Sequence, residues 1–189
     1  MELKTTENPI ETAGPARQVL SNLFYGWGYN FYRKENQLRA DDLLIRGKVS
    51  EMLAAMRAHL AGLERDWRRE RLPAPTREHP FPDAAAVATA QGLQRAQQGI
   101  ESLETKVRTA PVPEMDRVMQ RHVNERDALE RLAAVDGDLV LAAKSALDAV
   151  AGLPDPATAT AGVAAILAQS GMEALLARRA EVLSAVAMA

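Results

Sequence analysis

Between Leu72 and Pro82 the chain reads LPAPTREHPFP, four prolines in eleven residues. Proline donates no backbone hydrogen bond, fixes its own φ and biases the preceding residue toward extended backbone, so no continuous helix or central strand crosses this segment. It is a linker, and the sequences on either side carry helical rather than strand-like patterns. The other prolines punctuate the chain in the same way: APVP at 110–113 and GLPDP at 152–156 are further breaks, and Pro15 suits a helix's first turn.

A first helix is expected from Pro15 to Leu23. The clearest helix is expected from about Arg33 to Arg71, roughly 39 residues and close to 58 Å at 1.5 Å per residue. Along it run Ile45, Val49, Met52, Met56, Leu60, Leu63 and Trp67. Their mean step of about 3.67 residues is the eleven-residue period, which packs along a straight or slightly right-handed partner, in the same chain or in another copy. Such a length points to an elongated bundle or a coiled-coil-like hairpin.

After the linker, Asp83 caps a helix to about Thr109 whose buried face is Leu93, Ala96, Ile100, Leu103 and Val107. Pro113 opens the next helix, Glu114 to about Val135. A kink or short break is expected at Asp136-Gly137-Asp138 before the pattern continues to Val150. Asp155-Pro156 supplies a cap and a first-turn proline. Ser170 with Glu173 has capping-box spacing, dividing the remainder into helices over 157–168 and 171–186. The fold class is therefore all-α: a polar leader over 1–14 and one helical-bundle domain over 15–189.

Cysteine is absent, which excludes thiolate metal sites, cysteine nucleophiles and thiol redox switching. The net charge of -2 gives no bulk attraction to nucleic acid or acidic membrane. The leader lacks the basic and apolar regions of a secretion signal. No stretch approaches the roughly 18 apolar residues of a membrane span, the closest being interrupted in the alanine-rich C-terminal third. A cytoplasmic protein without nucleic-acid or membrane partners is expected.

Six of the eight aromatic residues fall within nine positions: Phe24, Tyr25, Trp27, Tyr29, Phe31 and Tyr32, with Gly26 and Gly28 between them. On a helix they form two neighbouring stripes. On a strand Tyr25, Trp27, Tyr29 and Phe31 share one face, and such a strand needs a partner edge. Buried rings more often serve packing, here as a plug at one end of the bundle. The alternative use is docking, because three tyrosine hydroxyls, an indole N–H and Asn30 offer directional contacts, with Arg33, Lys34 and Arg39 beside them as a basic group.

Catalytic constellations are missing. No Glu-x-x-His pair exists for a dimetal bundle site, and His59, His79 and His122 are scattered, so no metal or cofactor is expected. His122 and Glu125 interrupt an apolar stripe; as a buried pair they would suit acid–base chemistry, but a rim pair is the plainer reading. His59 faces away from the long helix's stripe, and Asp41 and Asp42 diverge on a helix and read as solvated. Neither Gly47-Lys48 nor Gly26-x-Gly28 completes a phosphate-binding loop. The run ERDWRRER at 64–71 balances its charges and reads as a salt-bridged face.

The pattern is that of a non-enzymatic helical interaction protein, an adaptor, assembly factor or chaperone-like accessory. Its expected protein-binding residues are Phe24, Tyr25, Trp27, Tyr29, Phe31, Tyr32 and Arg33, and it has scope to self-associate through the long helix. The alternative is a ligand-binding or sensory bundle taking a planar or anionic small molecule at the same cluster.

Overall fold

The computed structural model describes residues 34–78, 80–112 and 122–187, and the side chains of 34–41, 122–129 and 185–187 are outside that description. Every regular element among the described residues is helical: α1 (Lys34–Arg71), α2 (Ala84–Arg108), α3 (His122–Ala151), α4 (Pro156–Gln169) and α5 (Met172–Ala187). The all-α bundle expected from the sequence is what forms. The helix expected over 15–23, the aromatic segment 24–32, and the expected helix start at Pro113 and Glu114 lie outside the described residues.

Helix α1 packs along both α2 and α3, while α4 lies chiefly on α2 and α5 chiefly on α3. The α1 stripe supplies Ile45, Val49, Met52, Met56 and Leu60 to the core, joined by Leu53, and Leu63 packs at its margin. Its partners are Leu93, Ile100, Leu103 and Val107 of α2 and Leu139, Val140, Ala143, Ala146 and Val150 of α3. Thus the stripe of α1 is covered by helices of its own chain. Ala86 and Ala90 are buried, which lets α2 approach closely.

Two caps form where the sequence placed them. Asp83 accepts from the amides of Ala85 and Ala86, and Asp155 from those of Ala157 and Thr158, with Pro156 opening α4. These carboxylates satisfy amides that no helical carbonyl reaches. Through 64–71 the expected salt-bridged face is present, with Arg68 on Glu64 and Arg69 on Asp66.

Several expectations are overturned. Of the kink or short break expected at Asp136-Gly137-Asp138, the break does not occur: helix α3 runs on through it, because Asp136, Leu139 and Val140 are all buried and that packing outweighs the roughly 1 kcal/mol helix cost of glycine. The capping box at Ser170 does not form: Ser170 Oγ donates to Leu167 O, and the Glu173 carboxylate instead pairs with Lys106. Gly171, at φ +70°, makes the turn between α4 and α5. Asp42 is buried, not solvated, and His59 is half-buried rather than a surface residue.

Within Pro156–Ser184 an 18-residue window reaches a mean hydropathy of 1.3, long and apolar enough to cross a membrane by composition, where the sequence reading found none. In the fold it is divided at Gly171 between α4 and α5.

Candidate functional site

The stripe that buries Ile45 and Val49 continues one turn toward the start of α1, and the residues that it meets there are charged. Asp42 and Arg46 stand four apart and share the core-facing side of the helix. On α3, Asp136 precedes Leu139 and Val140 on the buried face. On α5, Arg179 lies seven residues after buried Met172, two turns along the same face. Helical periodicity therefore drives four charged side chains into one layer.

Arg179 has 0% of its surface exposed, Asp136 1% and Asp42 2%. Arg46 donates to Asp42 Oδ2 through Nε at 3.2 Å and through Nη2 at 3.0 Å. Arg179 donates to Asp136 Oδ1 through Nε at 3.0 Å and pairs with Asp42 through Nη2. The end of α2 and the loop after it complete the layer: Arg46 Nη1 donates to Arg108 O at 3.2 Å, and Arg179 Nη1 to Pro111 O in the loop. Carbonyls at a helix C-terminus lack intrahelical donors and carry partial negative charge, so they suit guanidinium groups. Two carboxylates and two guanidiniums leave the layer formally neutral.

Burial pushes the Asp136 carboxyl up to about 7, against the pull of Arg46. The same desolvation lowers Arg179 to about 10, and it lowers Arg46 while Asp136 holds it up. A carboxyl titrating near neutrality is what acid–base catalysis asks for. Here it is enclosed by its partners, with 1% of its surface exposed. A depression of about 400 Å³, open to solvent, is lined by Lys106, Thr109, Ala110, Pro111, Glu173, Leu176 and Ala177. It touches the charged layer through Pro111, and the ion pair in its lining, Lys106 with Glu173, is exposed to solvent rather than buried. The arrangement is a lock that joins α1, α3, α5 and the end of α2.

The expected binding residues Phe24, Tyr25, Trp27, Tyr29, Phe31, Tyr32 and Arg33 lie outside the described residues, as does His79. The side chains of Lys34, Arg39, His122 and Glu125 do too. No group of three or more potential metal ligands converges among the described residues. What the sequence reading missed is the lock, although a signal existed: extending the α1 stripe back from Ile45 by three residues arrives at Asp42. A charged residue at a stripe position marks a buried pair as readily as a stripe's end.

Lys34, the first residue of α1, is eight residues from Asp42, or about 12 Å along the helix. At the level of the lock, on the outer side of α1, Leu43 is 67% exposed and Gly47 faces open space. Comparison of the chain with protein-family models, with curated proteins and with solved structures returned no match.

Proposed function

We propose that this chain is a non-enzymatic helical interaction protein of the cytoplasm, an adaptor, assembly factor or chaperone-like accessory. It docks a protein partner through residues 24–32, carried at the start of the long helix of an elongated bundle. The observation that supports this reading is the position of the charged lock. Buried ion clusters add little stability over an apolar core, and their best-attested use is to fix register. This one fixes the end of α1 to which the ring-rich segment is attached, and an anchored platform reduces the ordering cost of binding.

The test is an affinity capture from the native host with wild type and with Trp27→Ala/Tyr29→Ala, circular dichroism being used to confirm folding. Loss of specific partners from a folded double variant is the expected result. Identical partner sets from two folded proteins would sink the reading. Loss of folding would show that the rings are packed in the core.

A further inference from the structure

Helix α5 is attached to the bundle in two unequal parts. It meets α4 at Gly171, whose φ is +70° and whose Cβ position has nothing within 4 Å. A single element-terminal residue of this kind is where a hinge absorbs rotation. Just beyond it Met172 is buried in the main core, and Leu175 and Leu176 pack at the core's margin. From Ala177 to Ser184, by contrast, Arg179 is the only buried side chain, and Ala180, Val182 and Leu183 are half-buried.

The far half of α5 is thus held by a cation where an apolar anchor would be usual. Arg179 reaches Asp136 of α3, Asp42 of α1 and Pro111 O in the loop after α2. A hold of this kind differs from apolar packing because a proton can alter it.

Among the described side chains, the charged groups facing Asp136 are Arg179 from α5 and Asp42 and Arg46 from α1. Loop residues 109–112 and helix α4 carry no titratable side chain, Glu104 and Arg108 of α2 pair with each other, and Asp138, Arg178 and Glu181 are exposed. Ionised Asp136 attracts the guanidiniums, but in the closed layer it has given up its hydration. The loss is the larger effect, and it pushes the carboxyl from its ordinary value near 3.8 up to about 7. Lifting α5 readmits water and removes the cause of that shift. By linkage, protonation favours the closed form and ionisation the open one. With Asp136 protonated the closed layer still keeps Asp42 between both guanidiniums, and the Arg108 and Pro111 carbonyls on their remaining donors.

We propose that α5 is a proton-controlled latch, closed on α3 while Asp136 is protonated and swinging out about Gly171 when Asp136 ionises. Opening uncovers the face of α3 around Asp136 together with the inner side of α5.

The test follows native-state hydrogen exchange of the full chain from about pH 5 to about pH 7, each amide rate being divided by its intrinsic rate at that pH. Amides over 177–184 should be less protected than those of the α1–α2 core around Met56 and Ile100, and their opening constant should rise about tenfold or more across that range. In Asp136→Asn, which keeps an acceptor for Arg179 Nε but cannot ionise, the α5 opening constant should not change with pH. The chain has no cysteine, so nitroxides on Ala55→Cys and Glu181→Cys, both at exposed positions, report displacement of α5 from α1 without any change to the lock. A second, longer distance should grow in as the pH rises, and this readout stands even where Asp136→Asn fails to fold. Amides of α5 as well protected as the core, an opening constant independent of pH, the same pH dependence in Asp136→Asn, or a single unchanging distance between the labels would each overturn the proposal.

Discussion

Arg179 Nε donates to Asp136 Oδ1 at 3.0 Å, joining residues 43 positions apart in a layer where neither side chain reaches solvent. Removing one member leaves its partners as buried charges without compensation. Arg179→Ala strands Asp136 and Asp42 with Arg46 as their only guanidinium, and a loss of about 3–5 kcal/mol in urea unfolding is expected. Replacing Asp42, Arg46, Asp136 and Arg179 together by apolar residues of similar volume should recover most of that loss. A quadruple variant no more stable than Arg179→Ala would show that the lock contributes more than specificity.

Asp136 also gives the fold a pH dependence with a definite sign. Its carboxyl, ordinarily near 3.8, is raised to about 7 by burial, so the folded state holds this proton more tightly than the unfolded chain. The stability it contributes is fully present below pH 4 and is lost as pH rises through about 7. The charged groups bearing on it are Arg179 of α5 and Arg46 of α1, with Asp42 of α1 sharing both guanidiniums. In Asp136→Asn the side chain cannot ionise. The stability of wild type relative to Asp136→Asn should therefore fall between pH 4 and 7, by an amount on the order of a few kcal/mol. Parallel stability–pH curves for the two proteins would contradict it.

The lock and the fold differ in how far the sequence disclosed them. Apolar stripes are local, so the core faces of α1 and α2 follow from spacing alone, and Asp83 and Asp155 announce their caps because each bonds amides two and three residues ahead. Asp136-Gly137-Asp138 misleads for the opposite reason. Its local chemistry favours interruption, and what keeps α3 continuous is burial among α1 and α5 residues distant in sequence. Asp42 misleads likewise: beside Asp41 it looks solvated, and its burial is made tolerable by Arg46 four residues on together with Arg179, far along the chain. The Ser170–Glu173 spacing is genuine, but Lys106 competes for the glutamate. Pairings across such separations leave no spacing to read.

Two glycines on α2 should respond oppositely to alanine. A Cβ at Gly92 would stand 2.1 Å from Thr160 Cγ2, and the Thr160 rotamer is held by its hydroxyl donating to Pro156 O at 2.7 Å. Gly92→Ala must push α4 away, and overpacking of about 1–3 kcal/mol should outweigh the roughly 1 kcal/mol gain in helix propensity. At Gly99 the nearest atom, Leu167 Cδ1, is 4.0 Å from the Cβ position. There the propensity gain stands unopposed, and Gly99→Ala should raise stability by up to about 1 kcal/mol. Thermal unfolding of both, with Gly92→Ala/Thr160→Ala as the rescue, checks the assignment.

Trp67 tests whether the opposite end of the α1–α2 pair is closed independently of the lock. Its indole donates to Ala86 O at 2.9 Å and lies 5.4 Å from the Arg71 guanidinium carbon. Trp67→Phe keeps an aromatic ring but removes the donor, at a cost of about 1 kcal/mol, with a smaller loss from the weaker cation–π contact. Native-state hydrogen exchange should then quicken at the first turn of α2, around Ala86, while amides near Asp42 and Arg46 keep their protection. Arg71→Ala separates the two contributions, since it leaves the indole bond in place and should cost no more than about 0.5–1 kcal/mol. Equal acceleration at both ends in Trp67→Phe would mean that the pair opens as one unit, and that the bond to Ala86 does not close the loop locally.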